Sequence, residues 1–106
     1  MFARTLELTV KADRKGELMA RTKAEIMPIL DRQKGFVNIF VFENEIELTK
    51  VLVTTFWQTK LDQERYEREA FPMIQHIIEP FLTRPVSVKL YRVEETIFRK
   101  LQTAAA

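Results

Sequence analysis

Seven consecutive residues, Phe36-Val37-Asn38-Ile39-Phe40-Val41-Phe42, carry a single polar side chain. Their β-branched and aromatic content reads as a strand. With a two-residue period, Val37, Ile39 and Val41 face one way, and Phe36, Phe40 and Phe42 the other, with Asn38 among them. A strand with one wet face alternates apolar and polar residues. A strand apolar on both faces must be covered on both. At 106 residues the chain reads as a single domain, 1–106, too short to stack three layers of its own. The second cover is therefore expected to be another copy of the chain, a homodimer formed through the open sheet face.

The flanking sequence supplies the other elements. Residues 4–12 alternate, with Leu6, Leu8 and Val10 on one face and Thr5, Glu7, Thr9 and Lys11 on the other. After a turn at 13–16, residues 16–34 read as a helix with Leu18, Met19, Thr22, Ile26, Ile29 and Leu30 on one side. Pro28 projects from the polar side and leaves the Ala24 carbonyl to water, so the spacing predicts a kink and not a break. Gly35 is placed to cap the helix end. Strands follow at 36–43 and 48–57, the second holding Val51-Leu52-Val53-Thr54-Thr55 and ending at Phe56-Trp57. Thr59 is a candidate N-cap, with Asp62 three residues on. The charged helix 60–71 pairs Glu64 with Arg68 and Arg65 with Glu69 at i,i+4. Pro72 opens a further helical segment carrying Ile74, Ile77, Ile78 and Phe81. The last strand is 86–93. A tail, 94–106, has one apolar anchor, Phe98, expected to pack across the dimer boundary. The order β-α-β-β-α-β is the ferredoxin-like arrangement: α+β, a four-stranded antiparallel sheet with its helices on one face. Two such sheets face to face make a dimeric α+β barrel.

Composition excludes several classes. Hydrophobic residues at 46% and charged ones at 30% argue against disorder. The 17 basic and 15 acidic residues are interleaved, so no basic cluster marks a nucleic-acid interface. No stretch approaches the ~18 apolar residues of a membrane span, and the N-terminus lacks the apolar run of a signal peptide; a cytoplasmic protein is expected. With no cysteine there is no disulfide or thiol chemistry. Gly16 and Gly35 are the only glycines, so there is no phosphate-binding loop. Ser87 is the only serine and His76 the only histidine; His76 falls opposite the Ile74, Ile77 and Ile78 stripe, which leaves neither a catalytic triad nor a metal site in view. No metal and no cofactor are expected.

Five residues stand out as pocket candidates. Trp57, the only tryptophan, either caps the core or contacts a ligand. Asn38, between aromatic neighbours, is expected to be buried and must find a partner in a ligand or in the backbone. Tyr66 and Phe71 line a pocket mouth or simply pack. Thr22, in an apolar helical stripe, faces the same space or bonds its own helix.

Gly35-Phe36 closing the first helix, Trp57 ending the third strand, Tyr66-Glu67-Arg68-Glu69 and the final strand from Pro85 to Tyr91 carry a resemblance. The chain resembles the antibiotic-biosynthesis-monooxygenase-like family of dimeric α+β barrel proteins over roughly residues 3–93. The resemblance implies a cofactor-independent monooxygenase-like protein. Its ligand would be a small aromatic or polyketide-like molecule between sheet and helices, near Asn38, Trp57, Tyr66, Phe71 and Thr22. Haem-degrading members carry a histidine early in the helix after the tryptophan and an asparagine in the first strand. This chain has neither there, only Trp57, so haem degradation is ranked low. The fold does not select the chemistry. A non-catalytic small-molecule-binding dimer and a structural or interaction dimer remain open beside the oxygenase.

Overall fold

A computed structural model describes residues 1–97 of the chain; Phe98 lies outside the described residues. The elements are β1 (Phe2–Thr9), α1 (Lys15–Arg21), a π-helical turn (Thr22–Ile26), α2 (Met27–Asp31), β2 (Phe36–Glu43), β3 (Lys50–Trp57), α3 (Lys60–Glu69), α4 (Phe71–Ile78) and β4 (Ser87–Arg92). The antiparallel sheet has the order β2-β3-β1-β4, which is the ferredoxin-like topology. Among the described residues no helix is long and apolar enough to cross a membrane.

Register sorts the side chains between two faces. Leu6 pairs with Val53 and Leu8 with Val51, while Val41 lies beside Val53 on the other flank of β3. Leu6, Leu8, Val51 and Val53 meet Leu18, Ile26 and Leu30 from the first helical stretch and Ile74, Ile78 and Phe81 from the second. Burying each such side chain contributes roughly 1.5–3 kcal/mol. Among the described residues the other face of the sheet carries no helix. There Phe40 and Phe42 remain 39% and 52% exposed, with Phe40 edge-on to Phe56 at 5.7 Å.

One strand departs from the two-residue period. The β2–β3 register shifts between Phe36 and Asn38, so that Phe36 pairs with Trp57 while Asn38 pairs with Phe56. This bulge inserts one residue and turns Phe36 to the helix side, where its ring meets the Trp57 indole edge-on at 5.5 Å. Phe36 therefore does not share a face with Phe40 and Phe42, as simple alternation requires. Val37, at the bulge, is exposed.

The first helix is likewise not continuous. Pro28, exposed, sits in the first turn of α2 and has no N–H to give. Just before it the ladder widens to π-type bonding, closed by the Met27 N–H donating to the Thr22 carbonyl. The interruption is thus absorbed in one widened turn. Gly35 follows with φ of +81°, a conformation that favours glycine. A Cβ there would also collide with the Asp62 carboxylate. Asp62 opens α3: its N–H donates to Thr59 Oγ1 at 3.1 Å, and its carboxylate accepts from Arg65 at 3.0 Å. Thr59 bonding first, and Arg65 with it, hold the Asp62 carboxyl below its ordinary range.

Candidate functional site

Between the sheet and the helices lies a cavity of about 40 Å³. Leu6 and Leu8 of β1, Leu18 of α1, Ile26 of the π-helical turn and Ile74 of α4 give it apolar walls. Thr22 and Tyr66 also line it, and Arg4 brings the one charged group among the described residues. Of the lining residues, Val53 on β3 is partly buried, and Met19, Thr22, Ile39 and Val41 are likewise not fully buried. The latter four mark a mouth between the π-helical turn and the edge strand β2. The present volume accommodates a few waters. A typical ligand pocket is roughly 300–1,000 Å³, so a ring system requires these mouth residues to move.

Arg4 is the most unusual feature of the site. It lies two residues before Leu6 on β1 and so faces inward, opposite Thr55. Its side chain is only 2% exposed. The guanidinium lies 4.0 Å from the centre of the Phe71 ring and 5.6 Å from that of Tyr66, a cation–π arrangement. One terminal nitrogen, Nη2, donates to Glu67 Oε1 at 3.4 Å. The Nε–H has no partner among the described residues.

An aromatic layer backs the cavity. Trp57 is fully buried and stacks on Tyr66 with ring centres 4.5 Å apart. Its indole N–H donates to Thr55 Oγ1 at 2.9 Å. Phe71 packs against Tyr66 at 6.1 Å. Burial pushes the Tyr66 phenol up to about 12, against the opposing pull of the Arg4 charge. Tyr66 is therefore a neutral phenol at pH 7 and no base.

The five residues singled out from the sequence separate in space. Thr22 and Tyr66 reach the cavity. The Thr22 hydroxyl donates to the Leu18 carbonyl at 2.8 Å, so it faces the mouth with its donor already used. Trp57 stands behind Tyr66 and Phe71 beneath Arg4, both outside the lining. Asn38 is on the open sheet face, exposed, with Oδ1 accepting from the Ile39 N–H at 2.8 Å. The bulge removes Phe36 from its side, and Asn38 is neither buried nor near the cavity. His76 is exposed on α4. Arg4 was missed, although the alternation of Leu6 and Leu8 continued back two residues places it inward.

The family model for antibiotic biosynthesis monooxygenase matches residues 1–71 of the 106. The chain belongs to that family. The match takes in β1 with Arg4, the π-helical turn, the bulged β2, and α3 with Tyr66. A sequence search of curated proteins finds no match. Solved structures share the fold of this antibiotic biosynthesis monooxygenase family member. Rv0793 from Mycobacterium tuberculosis superposes with a TM-score of 0.70 at 16% identity, over 89% of this chain and 95% of its own. SnoaB, a cofactor-independent oxygenase from Streptomyces nogalater, gives 0.69 at 17% identity, over 91% and 95%. A candidate antibiotic biosynthesis monooxygenase from Deinococcus radiodurans gives 0.76 at 14% identity, over 94% and 99%.

Proposed function

We propose that this family member is a cofactor-independent monooxygenase-like protein. Its substrate is a small aromatic or polyketide-like molecule taken into the cavity between sheet and helices. The observation that carries this reading is the cavity itself, apolar on nearly every side and closed off behind by Tyr66 and Trp57. Apolar walls accept a ring, and enclosure removes the water that would quench a reactive intermediate. The family supplies the reaction class, and SnoaB, which shares the fold, is a cofactor-independent oxygenase. In such a reaction the substrate provides the electrons. A ring CH₂ flanked by conjugated groups becomes C=O, one atom of O₂ entering the product and the other leaving as water. The protein contributes shape, dryness and polar groups matched to the charge that develops. Tyr66, neutral and lining the cavity, is a hydrogen-bond donor to a substrate oxygen, and Trp57 holds its ring in place.

The working unit of this proposal is a cytoplasmic homodimer. Phe40 and Phe42 lie exposed on the helix-free face, and a second copy of the same sheet would cover them.

A second reading, a binding dimer without turnover, draws on one observation. Among the described residues, the titratable ones lining the cavity are Arg4 and the neutral phenol Tyr66, and none of them offers a carboxylate or imidazole as base. Chelator-treated, dialysed protein supplied with anthrone in an oxygen electrode separates the two. The oxygenase consumes O₂ in step with anthraquinone formation, and Thr22→Leu, which fills the mouth, slows it with little change in melting temperature. Anthrone binding without O₂ uptake leaves the binding dimer. No binding at all sinks both readings.

A further inference from the structure

We propose that Arg4 is the anchor for an anionic oxygen, so that the cavity takes its aromatic ligand already ionised, as a phenolate or enolate. This rests on the cavity being the ligand site, as read above, and adds what the ligand must carry. A buried guanidinium ordinarily uses its donors in close, charge-assisted hydrogen bonds of about 2.7–2.9 Å. Arg4 does not. Its one ionic contact among the described residues, to Glu67, is 3.4 Å long, and Glu67 is half exposed to water. The faces of Phe71 and Tyr66 support the positive charge without taking a proton donor. Nε–H, fully buried, has no partner among the described residues. A buried donor without a partner is rare and calls for an explanation. The empty space that Arg4 borders is the cavity.

The groups around Arg4 leave this role to a ligand. Glu67 and Tyr66 on α3 are the titratable groups beside it. Its sheet neighbours, Thr55 on β3 and Leu90 on β4, bring no charge. The Thr55 hydroxyl is engaged with the Trp57 indole and the Arg4 carbonyl. An aromatic body against the apolar walls and an oxygen anion on Nε–H would satisfy the site. A ligand that sheds its proton in solvent before entry also needs no base in the wall.

The probe is para-nitrophenol, whose phenolate alone absorbs visible light, titrated with and without excess protein. The expected result is a preference for the phenolate of about tenfold, read as ionisation about one pH unit lower when bound. Arg4→Met, which keeps an apolar chain over Phe71, is expected to abolish the shift. Glu67→Gln, at a half-exposed position safe for folding, is expected to enlarge it by removing the competing carboxylate. Displacement of the bound phenolate by benzoate and not by benzamide supports a site for oxygen anions in general. An unshifted ionisation in the unaltered protein, a shift that survives Arg4→Met in folded protein, or no binding at millimolar probe overturns the proposal. Oxygen uptake with anthrone is scored separately. If the shift is seen without uptake, the anion site stands and the oxygenase falls; uptake undiminished in Arg4→Met leaves the oxygenase and removes the anion site.

Discussion

Trp57 is a packing residue with one polar obligation. Its indole is fully buried, stacks on Tyr66 and donates to Thr55. Trp57→Phe keeps an aromatic ring but removes volume and leaves the Thr55 hydroxyl short of a donor. Unfolding in urea is expected to show a loss of about 1–3 kcal/mol, with cooperativity retained. A variant as stable as the original would contradict the role of Trp57 as the support behind Tyr66. The single tryptophan at a strand end was legible as a core residue or a ligand contact, and its burial and bond to Thr55 are those of a residue packed in the core. Arg4 was passed over as a site residue because a charged residue near a strand start ordinarily faces water, although the alternation of Leu6 and Leu8, continued back two residues, turns it inward, as its register opposite Thr55 shows. Asn38 shares the open sheet face with Phe40 and is exposed in the single chain; its burial requires a second copy over that face.

At the scale of elements, the joint between the first helical stretch and β2 is the most constrained point. Gly35 has positive φ, and α3 begins close against it through Asp62. Gly35→Ala combines a left-handed backbone, unfavourable by about 1–2 kcal/mol for an L-residue, with displacement of Asp62 from its contact with Arg65. A loss of more than about 2 kcal/mol in chemical denaturation is the expected outcome; a loss within error would mean that α3 is not seated on this glycine. The Thr59–Asp62 start of α3 was readable, since it is a local preference of one or two residues; Gly35 was readable as a special backbone position but not as a helix cap, because the helix ends at Asp31 with Arg32 as its cap and Gly35 serves the turn closed by the Phe36 N–H donating to the Gln33 carbonyl. The π-helical turn and the β-bulge were not. Pro28 signals an interruption, but whether the helix kinks or widens depends on how Leu18, Ile26 and Leu30 must all reach one core. Phe36-Val37-Asn38 has no glycine or proline to announce an extra residue.

For the whole molecule, the β-α-β-β-α-β order and the one-sided helical layer followed from hydrophobic period alone, because burial of one sheet face admits few alternatives. The open face leads to a prediction of its own. If a second copy covers Phe40 and Phe42, Phe42→Glu places a charge in that interface, and sedimentation equilibrium is expected to find a dimer for the unaltered chain and a monomer for the variant. A monomer in both would remove the second copy. The cavity was only partly legible: a space between sheet and helices was expected, but not its size or its buried cation. Its role is best tested by methyl-resolved NMR during titration with para-nitrophenol. The Leu18, Ile26, Ile39 and Ile74 methyls line the cavity, whereas Ile46 and Leu48 are exposed to solvent. A ligand in the cavity shifts the first set in a saturable way and leaves the second unmoved. Shifts confined to Ile46, Leu48 or the open sheet face, with the cavity methyls silent, would contradict a ligand site between sheet and helices.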